Sequence, residues 1–236
     1  MTMTNPIFCA FDTPHIEKAS DLANQLQGCL GGIKLGMEFF YAHGAEGYKA
    51  VAQFNQPIFL DLKLHDIPNT VAKAVKSLMP LAPQIMTVHT AGGPEMMRKA
   101  SQAATEAAAE LGVERPKLVG VTVLTSLDQD DLSAIGVDRD VEQQVLGLAK
   151  LAKESGLDGI VCSPKEISLI RQHLGDDFIL VVPGIRPAGA DIGDQKRVMT
   201  PKEAVDQGAT LLVIGRPITQ ATDPAKSAQD ILASMA

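Results

Sequence analysis

Eight short apolar runs recur along the chain, at 7–12, 32–36, 58–64, 85–90, 118–125, 159–163, 178–185 and 210–215, each separated by room for a helix. Most are apolar throughout rather than alternating, the pattern of parallel strands covered on both faces. The intervening segments carry helical stripes: Ile16, Ala19, Ala23 and Leu26; Val71, Val75, Leu78 and Ala82; Val141, Val145, Leu148 and Ala152. Ser163-Pro164-Lys165-Glu166 and Thr200-Pro201-Lys202-Glu203 each offer a hydroxyl N-cap, a first-turn proline and a glutamate that returns to the cap. Strict βα alternation demands right-handed crossovers. Eight repeats favour an α/β fold of the single (β/α)8 TIM-barrel type over an open doubly wound sheet. No linker or low-complexity stretch divides residues 1–236, so one domain is expected.

Composition narrows function only by exclusion. A formal charge of −7 argues against a general nucleic-acid or membrane-surface binder, although a local phosphate pocket remains compatible with it. The first residues lack a basic start followed by an apolar stretch, and no run approaches the ~20 residues of a membrane span. Cys9, Cys29 and Cys162 are far apart, with no paired spacing. They read as reduced core thiols, and the cytoplasm as the expected compartment.

In a barrel of this class the chemistry lies where strands end, in the βα loops. Charge gathers there: Asp12 after strand 1, Lys34 in strand 2, Asp61 and Lys63 in strand 3, and Asp66 beyond it. Alternate residues of a strand share a face, so Asp61 and Lys63 are expected to project together into the barrel mouth. Charges in a buried strand are costly unless paired, and the alternating signs supply pairs. A structural ion pair is the competing reading of an isolated Asp-x-Lys. The five histidines show no HxxxH or HxH spacing, so no metal site is expected.

The segment Asp61-Leu62-Lys63-Leu64-His65-Asp66-Ile67-Pro68-Asn69-Thr70 resembles the Asp-x-Lys-x-x-Asp signature of the orotidine 5'-phosphate decarboxylase family. Five further segments match in barrel order: Phe11-Asp12, Ile33-Lys34-Leu35-Gly36, Val123-Leu124-Thr125-Ser126, Pro183-Gly184-Ile185-Arg186-Pro187 and Ile214-Gly215-Arg216-Pro217-Ile218. The resemblance implies a cofactor-free decarboxylation of orotidine 5'-phosphate to uridine 5'-phosphate. It implies a catalytic tetrad Lys34–Asp61–Lys63–Asp66, with Lys63 stabilising and protonating a carbanion. It also implies a homodimer with shared sites, Asp66, Ile67 and Thr70 crossing into the neighbouring subunit.

By the same resemblance, Gly215 and Arg216 would bind the substrate phosphate. Gln195 would join them from a lid between Arg186 and Thr200, and Arg186 would hold the lid region. Asp12, Asn69 and Thr70 would meet the ribose, and Thr125 or Ser126 the pyrimidine edge. Taken alone, the Gly-Arg turn and the long loop also suit purely structural roles. Two other functions compete: a Mg-dependent lyase like 3-keto-gulonate 6-phosphate decarboxylase, and a noncatalytic barrel that binds a phosphate ligand. Lys34 speaks against the first, because the metal-dependent enzymes carry an acidic residue near that position.

Overall fold

The structure, a computed structural model, describes residues 5–187 and 199–235. Eight parallel strands close into a barrel in the order β1 to β8. They are β1 (Ile7–Ala10), β2 (Gly32–Gly36), β3 (Ile58–Leu64), β4 (Ile85–His89), β5 (Lys117–Val121), β6 (Gly159–Val161), β7 (Ile179–Val182) and β8 (Leu211–Ile214). Helices α1 (Ile16–Gln25), α2 (Met37–Ala52), α3 (Pro68–Leu78) and α4 (Gly93–Leu111) follow the first four strands. After β5 come the short α5 (Gln129–Ala134) and then α6 (Val141–Glu154). Next are α7 (Ile167–Leu174), α8 (Pro201–Asp206), α9 (Arg216–Thr219) and α10 (Pro224–Ala233). Among the described residues no helix is long and apolar enough to cross a membrane.

Several strands stop short of the apolar runs that announce them. β5 ends at Val121 and β7 at Val182, although the runs continue to 125 and 185. The extra residues are the βα loops, whose backbone leaves the ladder to present side chains at the mouth. Ala82 likewise falls outside α3, contrary to the stripe. That helix tightens into a 3-10 turn at Met79–Leu81 around Pro80, and Ala82 adopts φ 50°. Both expected caps form. Ser163 and Thr200 accept from the amides of Lys165 and Glu203, while Glu166 and Glu203 return to the cap amides.

Two separate hydrophobic clusters account for the apolar strands. Outward-facing residues such as Ile33, Leu60, Met86 and Leu212 pack under the helices in one large cluster. The alternate, inward-facing residues Phe8, Ala10, Phe59, Ile85, Val119, Val181, Leu211 and Val213 fill the barrel itself. Fully burying side chains of this size contributes about 1.5–3 kcal/mol each. Phe8 and Phe59 meet edge to face at 6.3 Å across this plug.

Strand β2 shows how the sequence shapes the space above. Its inward positions are Gly32, Lys34 and Gly36. A Cβ at Gly32 would lie 2.3 Å from the Phe8 ring, and one at Gly36 would lie 3.0 Å from the Lys34 ammonium. The two glycines therefore let the ring fill the floor and let the amine stand over it.

Candidate active site

Directly above the apolar plug, the next inward positions carry charge. Lys34 from β2 and Asp61 from β3 are both buried, each 8% exposed. Nζ of Lys34 lies 3.2 Å from Oδ1 of Asp12 and 3.7 Å from Oδ2 of Asp61. Nζ of Lys63 donates to the same Asp61 Oδ2 at 2.8 Å. The result is a row of alternating sign, Asp12–Lys34–Asp61–Lys63, spanning the ends of three adjacent strands. Pairing of this kind is what makes buried charge tolerable.

Lys63 does not reach this position through regular strand alternation. The pairing of β3 with β4 shifts register between Leu60 and Leu64, and Lys63 sits in the left-handed region with φ 51°. Its amide does not enter the ladder in the usual way but donates to the Thr87 hydroxyl at 2.8 Å. That hydroxyl in turn donates to Asp61 Oδ1 at 3.0 Å. Thr87 went unnoticed in the sequence because β4 reads as one apolar run. The available signal was its place between inward Ile85 and His89.

A cavity of 190 Å³ opens over the row. Lys34, Asp61 and Lys63 line one side, and Val123, Thr125, Val161, Pro183 and Val213 line the others. Thr125 is half-buried in this wall, whereas Ser126 faces solvent. A smaller recess of 60 Å³ lies at the ends of β1 and β8, lined by Asp12, Lys18, Arg216 and Thr219 among others. Exposed Arg216 opens α9, immediately after Gly215. A further recess, of 360 Å³, lies at the opposite end of the barrel, beside Gln56, Gln84, Arg115 and Lys117. Arg115 and Lys117 are engaged there with Asp158 at 2.7 and 3.6 Å. In this fold that rim serves stability, and the mouth over the charged row is the better candidate.

The remaining expected residues are distributed around the mouth. Asp66 is exposed and accepts from the Ile67 amide at 2.7 Å. Among the described residues it forms no ion pair with Lys34 or Lys63 of its own chain, and Asp12 occupies the fourth place in the row. Ile67 is 67% exposed at the N-cap of α3, and Asn69 and Thr70 face solvent in that helix's first turn. Arg186 is buried, with Nη1 donating to the Ile185 carbonyl at 2.8 Å. The Arg186 amide donates to Met199 O at 3.0 Å, and Ile185 bridges Met199, which joins the chain leaving β7 to the chain entering α8. Gln195 lies outside the described residues.

Two rings flank the row. His65 and His89 stack at 5.1 Å with 20° between planes. Burial, with the nearby His65 and Lys63, pushes the half-buried His89 imidazole below its ordinary pKa. Its Nδ1 has no hydrogen-bond partner among the described residues. No cluster of three or more His, Cys, Asp or Glu arranged to hold a metal occurs among those residues. Cys9, Cys29 and Cys162 are free and buried, and burial raises the thiol pKa of Cys9 and Cys162.

Residues 5–231 match the family described as Orotidine 5'-phosphate decarboxylase / HUMPS family. The chain belongs to that family. It is 54% identical over 226 residues to the orotidine 5'-phosphate decarboxylase of Rhodospirillum rubrum, covering 95% of this chain and 92% of that one. The enzyme of the same name from Paramagnetospirillum magneticum is 52% identical and covers 99% of both chains. The crystal structure of orotidine 5'-phosphate decarboxylase from Lactobacillus acidophilus superposes with a TM-score of 0.87 at 39% identity, over 98% of this chain and 99% of that one. The decarboxylase / HUMPS family thus spans nearly the whole molecule, barrel mouth included.

Proposed function

We propose that this chain decarboxylates orotidine 5'-phosphate to uridine 5'-phosphate, the closing step of pyrimidine nucleotide synthesis, without metal or organic cofactor. The observation that carries this reading is the Lys63 ammonium held on Asp61 at the edge of a largely apolar cavity. Breaking the bond between C6 and the carboxylate releases CO2 and leaves a lone pair on C6. The ring π-system is not positioned to delocalise that pair, so stabilisation must come from charge already in place. Lys63 stands as the stabilising cation and then gives C6 its proton, and solvent reprotonates the resulting amine to the ammonium. An ammonium about 4 Å from a forming unit charge contributes about 4 kcal/mol at an effective dielectric of 20, close to three powers of ten in rate.

The other members of the row keep that amine where it is needed. Asp61 holds Lys63 and lies beside the expected position of the substrate carboxylate, and Lys34 holds Asp61. Asp12, Asn69 and Thr70 suit the ribose, and Thr125 in the cavity wall suits the pyrimidine edge better than exposed Ser126. Arg216, with Gly215 leaving its backbone approachable, suits the phosphate, and Gln195 and Arg186 are assigned to closing over it. Asp66 and exposed Ile67 suit a homodimer in which each subunit completes its partner's site, in a cytoplasmic enzyme with no nucleic-acid or membrane partner.

The Mg-dependent lyase is disfavoured by Lys34, whose ammonium lies 3.7 Å from Asp61 and would repel a divalent cation at that carboxylate. A noncatalytic binder would have no need of the intact row. The deciding experiment is a spectrophotometric assay with orotidine 5'-phosphate in excess EDTA, using wild type and Lys63→Ala. Turnover that survives the chelator and vanishes in the folded variant supports the proposal. Loss of activity in EDTA would favour the metal-dependent reading, and ligand-induced thermal stabilisation without turnover would favour the binder.

A further inference from the structure

We propose that Thr87 is a positioning residue for this reaction: its one hydroxyl sets both the backbone of Lys63 and the carboxylate of Asp61. The inference deepens the decarboxylase reading and rests on it for its kinetic half.

Three observations converge on this hydroxyl. Thr87 is 1% exposed, projecting inward from β4 one step above Ile85 of the apolar plug. Its Oγ1 accepts from the Lys63 amide at 2.8 Å and donates to Asp61 Oδ1 at 3.0 Å. The residue it grips is the one whose backbone is out of the ordinary, Lys63 at φ 51°, in the register shift between β3 and β4. A left-handed backbone is disfavoured for an L-residue, and such a conformation persists only where its surroundings impose it. The neighbouring strand's hydroxyl supplies that restraint, because it replaces the ladder acceptor that the bulge removes.

The second bond orients Asp61. Oδ2 of this carboxylate faces Lys63 and Lys34, while Thr87 donates to Oδ1. A hydroxyl has one proton to give, and spending it on Oδ1 leaves its lone pairs for the Lys63 amide. The carboxylate plane and the lysine backbone are thus referred to a single atom. Thr87 touches neither amine nor expected substrate, so its effect falls on the chemical step and not on binding.

The experiment compares wild type with Thr87→Val, which keeps the branched shape and β propensity, and Thr87→Ser, which keeps the hydroxyl. We expect Thr87→Val to lower kcat about 100-fold, the scale of a misplacement of about 1 Å at a reacting centre. KM should stay within about threefold, and Thr87→Ser should recover most of kcat. Crystal structures of both variants supply a readout that needs no turnover: in Thr87→Val, Lys63 should leave its left-handed φ or part from Asp61. Should the valine variant not fold, Thr87→Ala takes its place. An inactive wild type would sink the decarboxylase reading, and the crystal structures would still decide the positioning role. Unchanged kcat in the valine variant, failure of serine to rescue, or an unmoved Lys63–Asp61 pair would overturn the inference.

Discussion

The ammonium of Lys34 lies 3.2 Å from the carboxylate of Asp12, so β1 and β2 are tied by charge at the mouth as well as by their ladder. Asp12 is largely exposed, but the second partner of Lys34, Asp61, is buried. Replacing Lys34 with methionine, which nearly preserves volume, would leave that buried carboxylate with Lys63, at 2.8 Å, as its remaining cation. Breaking one side of a buried pair costs about 3–5 kcal/mol, and the retained Lys63 partner, with solvent near the mouth, places this case at the lower end. The melting temperature should fall by about 6–12 °C for a domain of this size. Differential scanning calorimetry checks it, and an unchanged melt would show the pair to be energetically idle.

Lys63 and Asp66 separate cleanly in the single chain, the first inside the mouth and the second on the surface. If Asp66 serves the partner's site, co-expressed Lys63→Ala and Asp66→Ala subunits should regain roughly one quarter of wild-type activity through mixed dimers, each bearing one intact site. Each variant alone should be inactive. A mixture as dead as its parents would place Asp66 in its own subunit's chemistry.

Arg216 provides a separate test of phosphate recognition. A charge-assisted hydrogen bond is worth about 1.5–3 kcal/mol, so Arg216→Ala should lower kcat/KM for the nucleotide about 10- to 150-fold. Orotidine, which lacks the phosphate, should be turned over equally poorly by both proteins. An equal loss on both substrates would remove Arg216 from the phosphate.

His89 predicts an acid sensitivity. Its folded pKa is depressed, chiefly by burial, with His65 and Lys63 adding to the effect. In the unfolded chain the ring takes up a proton near pH 6.5, whereas in the folded chain it resists until lower pH. The unfolded state then binds more protons, so stability is lost as pH falls from about 6.5 through the folded value. His89→Phe keeps a planar ring beside His65 and should flatten the melting temperature against pH over that window. A variant with the wild-type slope would show that another group governs it.

Much of this was legible in the chain before any coordinates. The apolar runs mark all eight strands, and Asp61 and Lys63 do meet at the mouth, although strand alternation is not what brings them together. What the pattern hides is how Lys63 arrives there. A bulge is a relation between two strands, and neither β3 nor β4 announces it alone. Thr87 escaped for the same reason: a threonine in an apolar run gains its meaning only from the carboxylate and amide across the ladder. Asp12 was legible as a mouth residue, but its bond to Lys34 depends on room left by Gly36, a steric fact of the closed barrel.

The left-handed backbone at position 63 sets comfort against purpose. Glycine, and to a lesser degree asparagine, would relax a φ of 51°, yet neither carries an amine. A codon library at this position, sorted only for soluble folded protein, would therefore enrich residues that silence the enzyme. The lysine would rank there as a defect, and only a screen that demands growth without supplied pyrimidine would restore it.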